Sequence, residues 1–122
     1  MALPTLHPLK EAVVIGHSSS VGSTPIACYV LAPFRGRLIK VTGVINGAIT
    51  GADASCAVAI LGTAVTGSPF VIANAASAAG TSGSLVPTGA NTVNEGDYVS
   101  VTPSGATGAT ITGNFAFNFV RA

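Results

Sequence analysis

Only two histidines and four carboxylates in this 122-residue chain can carry out acid–base work near neutral pH, and two cysteines complete the set of reactive side chains. Gly16-His17-Ser18 has the opening of a G-x-S-x-G nucleophile elbow. Ser20 stands where the closing glycine belongs, and no alternation of strands and helices surrounds the motif. Ser18, Ser19 and Ser20 therefore read as loop residues bonding nearby backbone. Glu95 and Asp97 flank Gly96 and offer two carboxylates to a hard cation, but they read better as a polar turn, with Asp97 bonding backbone where a strand begins. His7 and His17 have no fixed spacing to a second ligand. Cys28 and Cys56 lie in apolar stretches and read as small buried hydrophobes, although their spacing alone leaves a disulfide open. No CxxC, P-loop or G-x-G-x-x-G pattern is present. These residues predict a protein that is not an enzyme, with no cofactor and no metal.

Composition narrows the classes further. Charged residues make up 7% of the chain, where about 25% is usual. Gly, Ala, Ser, Thr and Asn take their place. A surface of that kind resists association weakly and suits a protein buried in an assembly. A net charge of +1 gives no basic field for nucleic acid. The longest apolar run, Ile26 to Ala32, is too short to cross a bilayer, and the first eight residues do not read as a secretory signal. Neither nucleic acid nor membrane is thus an expected partner, and synthesis in a cytoplasm is expected. With no tryptophan and two tyrosines, the chain is poorly supplied with stacking surfaces for sugars.

The segments that must position these residues are short and separated by turns. Residues 1–10, with Pro4 and Pro8, predict an extended arm, and its Leu3, Leu6 and Leu9 give it something to bury on a neighbour. Residues 11–122 predict one domain. Strands are predicted over 12–15, 26–31, 38–45, 55–61, 69–72 and 98–101. Asn46-Gly47 is the strongest hairpin signal in the chain, and the Ala/Ser/Gly-rich stretch 74–83 reads as a long loop. The last segment alternates strictly, with Ile111, Gly113, Phe115, Phe117 and Phe119 on one side and small or polar residues on the other. Three of the five phenylalanines fall there, so this half-buried strand should anchor the core. Many short strands with glycine-rich turns and no helical period predict an all-β, jelly-roll-like antiparallel β-sandwich.

Three stretches carry a resemblance to a known family. Ala32-Pro33-Phe34-Arg35-Gly36-Arg37-Leu38-Ile39-Lys40-Val41 resembles the AP-x-x-G-x-(L/I/V) strand opening of small tailed-phage capsid proteins. Asn46 to Thr50 followed by Ala52-Asp53-Ala54, and Ala90 to Val101, are similar to further stretches of that family. The likeness covers roughly residues 26–120, and the family is described as capsid decoration, cement or head-fibre-like protein. It implies a jelly-roll-like sandwich, self-associated as a dimer or trimer on the capsid exterior of the virion, that braces adjacent major capsid proteins. No catalytic residue is carried over. On this reading the partner contacts are Leu3, Leu6, His7 and Leu9 of the arm, together with Arg35 and Arg37. The alternative is a receptor- or glycan-binding jelly-roll module of a phage fibre, since a fold does not fix a function.

Overall fold

The computed structural model describes residues 10–121. These form an all-β sandwich of two antiparallel sheets, built from β1 (Glu11–Ser18), β2 (Cys28–Leu31), β3 (Gly36–Ile45), β4 (Ala54–Ile60), β5 (Thr63–Ala64), β6 (Phe70–Ile72), β7 (Ser82–Leu85), β8 (Thr92–Val93), β9 (Tyr98–Ser104) and β10 (Gly113–Arg121). The first sheet has the order β1-β10-β3-β7, with β8 also on β3. The second has the order β2-β9-β4-β5, with β6 also on β4. The opening strands β1 to β4 fall alternately in the two sheets, and the first strand pairs with the last.

The strict alternation of β10 decides which way the sheet faces. Phe115, Phe117 and Phe119 are fully buried, while Asn114, Ala116 and Asn118 lie on the outer side. The phenylalanines share one core with Leu38, Val41 and Ile45 of β3 and, from the second sheet, Val58, Ile72, Val99 and Val101. Phe70 packs edge-on to Phe115 with ring centres 6.3 Å apart. The strand begins at Gly113 rather than at Thr110, so Ile111 contributes from the preceding loop, partly buried against the core.

One turn expectation is corrected. Asn46-Gly47 closes no hairpin, because β3 and β4 belong to different sheets. The Asn46 N–H donates to the Thr112 carbonyl at 2.9 Å, which ties this crossover to the approach of β10. The tight hairpin lies instead between β4 and β5, where Leu61 (φ 50°) and Gly62 (φ 84°) both take the left-handed conformation. Two positive φ values in a two-residue loop match the right-handed twist of the flanking strands. Gly62-Thr63 reads as a turn in the sequence, and the structure sets it one residue earlier, because leucine at 61 seldom adopts the left-handed conformation it takes here.

The long loop after Ile72 is shorter than expected, since Ser82–Leu85 pairs with β3 as β7. One further irregularity sets the phase of β3. Asn118 pairs with Lys40 and Phe119 with Leu38, leaving Ile39 as an extra residue. This bulge lets both Leu38 and Val41 point inward. Asn91 secures it, donating from its amide to the Leu38 carbonyl at 2.7 Å and accepting the Leu38 N–H on its backbone carbonyl at 2.9 Å.

Candidate functional site

The residues singled out for chemistry do not come together. His17 and Ser18 are neighbours on β1 and point to opposite sides of the sheet. The Ser18 hydroxyl is wholly buried and lies 2.6 Å from the Ile26 carbonyl and 2.9 Å from the Ser20 carbonyl, its acceptors within the fold. The His17 ring is exposed, with Nδ1 2.9 Å from Asn114 Oδ1 on the adjacent strand. Asp97 builds the turn read from sequence: its Oδ2 accepts the Asn94 N–H at 2.9 Å, its own N–H donates to the Asn94 carbonyl, and Gly96 takes φ 85°. Asp53 accepts the Asn74 N–H. Among the described residues, no three His, Cys, Asp or Glu side chains gather where they would hold a metal.

Both cysteines are free and buried. Cys28 lies on β2 and Cys56 on β4, with β9 between them. Burial pushes the Cys56 thiol up to about 12 and raises Cys28 as well, so both are protonated and unreactive at neutral pH.

Charge is divided unevenly between the two faces. The first sheet carries Glu11, Arg37, Lys40 and Arg121 on its strands. The strands of the second sheet carry no Asp, Glu, Lys or Arg at all. Their outward side chains are small or apolar, and the largest are exposed: Tyr29 at 65%, Leu31 at 63% and Tyr98 at 38%. Leu61, 53% exposed, extends the row. Register explains the grouping. Leu31 pairs with Tyr98, whose carbonyl accepts the Leu61 N–H at 3.0 Å, so the three residues form one cross-strand row. Tyr29 pairs with Ser100, diagonal to Tyr98, and the two rings meet at 5.9 Å with planes tilted by 59°. Ser100 between them in register is 7% exposed. Uncharged, aromatic-centred surface of this kind matches the composition of interface cores.

Of the contact residues expected from sequence, Leu3, Leu6, His7 and Leu9 lie outside the described residues. Arg35 is exposed between β2 and β3, and Arg37 is exposed on β3 in the other sheet. Neither belongs to the Tyr29–Tyr98 face. Sequence reading passed over that face because its members are scattered over three segments, and only strand pairing unites them.

No family model matches this chain. No curated protein matches it either. Solved structures do. A chain of the cyanophage Pam1 capsid asymmetric unit aligns over 100% of this chain and 93% of its own length, with a TM-score of 0.58 and 14% identity. A chain of the acid-stable capsid of Helicobacter pylori bacteriophage KHP30 aligns over 92% and 90%, with a TM-score of 0.53 and 13% identity. A family 35 carbohydrate-binding module from Clostridium thermocellum aligns over 86% and 90%, with a TM-score of 0.50 and 13% identity. This chain therefore shares its whole β-sandwich fold with chains found in two phage capsids.

Proposed function

We propose that this protein is a non-enzymatic structural component of a phage virion that decorates the outside of the capsid and braces adjacent major capsid proteins. The observation that carries the reading is the extent of the capsid likeness. The matched regions span at least nine-tenths of both capsid chains, so each is a whole small protein of this architecture rather than part of a larger one. The uncharged face of the second sheet supports it, because contact there strips water from no charged group. Repetition adds strength, since many weak contacts to a lattice accumulate avidity.

Cosedimentation with expanded capsids lacking the protein tests the reading. Saturable binding at a fixed ratio to the major capsid protein, with shells that survive more heat, is the expected result. Absence of binding would sink it.

A glycan- or receptor-binding module of a phage fibre is the second reading. The carbohydrate-binding module's fold and the exposed Tyr29 and Tyr98 favour it. The 59° tilt between their rings argues for packing against protein rather than for a flat sugar platform. A glycan-array hit by a protein that ignores capsids would select this alternative.

A further inference from the structure

Asn46-Gly47 closes no hairpin, and its chemistry is left unused by the fold. An asparagine carboxamide lies beside the backbone nitrogen of the next residue, and attack of that nitrogen on Cγ closes a cyclic imide within the chain. The attack needs an uncrowded nitrogen on a backbone that can turn. Glycine supplies both, because it has no Cβ. The chain has asparagine at 46, 74, 91, 94, 114 and 118, and only Asn46 precedes a glycine.

The structure sets Asn46 further apart. Asn114 and Asn118 lie in β10, which is paired on both sides, so the nitrogens that follow them are held in the sheet. The Asn91 amide is committed to the Leu38 carbonyl. Asn74 and Asn94 are followed by Ala75 and Glu95, which carry side chains where Gly47 has none. Asn46 is exposed and is the first residue beyond β3. Its backbone N–H donates to the Thr112 carbonyl at 2.9 Å, and its side-chain amide donates to the Thr112 hydroxyl. The Gly47 N–H has no hydrogen-bond partner among the described residues. The electrophile is thus anchored while the nucleophile is free.

We infer that Asn46 is a self-modification site, at which the Gly47 nitrogen displaces the side-chain amide. The Gly47 nitrogen gives its proton to water and bonds to Asn46 Cγ, and the Cγ–Nδ2 bond breaks with release of ammonia. Water then opens the imide. Breaking the new bond to Cγ leaves aspartate, and breaking the bond to the main-chain carbonyl carbon leaves isoaspartate. One water is consumed and one ammonia released.

The consequence is large for a chain so poor in charge. Five basic and four acidic residues give a net charge of +1, which one new carboxylate brings to zero. A chain without net charge associates and precipitates more readily. The aspartate form keeps its tie to Thr112, whose hydroxyl can turn from acceptor to donor. The isoaspartate form lengthens the main chain where even a methyl on Gly47 would stand 3.2 Å from Ile111 Cδ1, just ahead of the buried Ile49. That form loosens the crossover. The inference does not rest on the capsid reading, and its test needs no capsid.

Incubation of the folded full chain at neutral pH, sampled by isoelectric focusing, ammonia assay and peptide mapping, provides that test. A more acidic form should accumulate with one ammonia per chain, carrying aspartate and isoaspartate at position 46 before any other asparagine reacts. It should focus with freshly made Asn46→Asp. Asn46→Gln keeps an amide but must close a larger ring, so the acidic form should be lost while circular dichroism is unchanged. Gly47→Ala should slow the reaction. A folded chain that keeps its isoelectric point while the urea-unfolded chain converts overturns the inference, because the fold would then protect the site. So does reaction first at another asparagine, and so does an undiminished rate in Gly47→Ala.

Discussion

Phe115 presses its ring against the backbone of Gly43, its antiparallel partner across β10 and β3. A methyl group on Gly43 would stand 2.6 Å from Phe115 Cε1 and 2.8 Å from Cδ1. The ring has little room to retreat, being packed edge-on against Phe70. Gly43→Ala should therefore cost about 1–3 kcal/mol, read as a lower midpoint in denaturant. Adding Phe115→Leu should recover part of the loss if the clash is its cause.

Leu61 holds a left-handed conformation that costs a leucine about 1–2 kcal/mol and leaves its side chain in solvent beside Tyr98. Asparagine tolerates the conformation better. Leu61→Asn should raise stability by roughly 0.5–1 kcal/mol while weakening the contacts made by this face. Thermal denaturation and capsid cosedimentation on the same variant check both halves. Stability and binding rising together would detach Leu61 from the face.

The raised thiols make stability fall in alkali. The unfolded chain releases the Cys56 proton from about pH 9.0, whereas the folded chain keeps it until about pH 12. The folded state thus binds more protons across that window, so stability is full below it and declines as pH rises through it, by at most about 1.4 kcal/mol per pH unit for each thiol. Cys56→Ala should flatten the slope measured by urea titration between pH 9 and 10.5. At pH 8 a thiol reagent should label neither cysteine faster than the fold opens.

The Asp97 carboxylate accepts a backbone N–H, which makes it a turn builder. Asp97→Asn preserves an acceptor and should be mild, while Asp97→Ala should cost about 1 kcal/mol. Calcium or a chelator should leave the melting temperature of the wild-type chain unchanged. A calcium-dependent rise abolished by Asp97→Asn would restore the cation reading for Glu95 and Asp97.

Tyr29→Asp places a charge at the centre of the uncharged face at a position 65% exposed. It should leave the fold intact and reduce capsid binding by tenfold or more, since burying an unpaired carboxylate is costly. Arg37→Ala, on the other sheet, should change binding little. The opposite ranking would move the interface to the charged face, where the sequence first directed attention.

The sequence by itself determined what depends on neighbours along the chain. Alternation in residues 113–119 fixed the buried side of β10, because a strand's side chains reverse at every residue. Asn94 to Asp97 fixed a turn, because its hydrogen bonds span three residues. The scarcity of charge pointed to association without locating it. Tertiary structure alone decided what depends on pairing. Asn46-Gly47 has the chemistry of a hairpin, yet β4 crosses to the other sheet and Leu61-Gly62 makes the tight turn. The bulge at Ile39 becomes visible only opposite Phe119. Tyr29, Leu31, Leu61 and Tyr98 become one surface only when β2, β9 and β4 lie side by side. Local propensity acts over a few residues, whereas this face is assembled by pairing between strands whose partners lie about 70 positions apart, as Ser100 lies 71 positions from Tyr29.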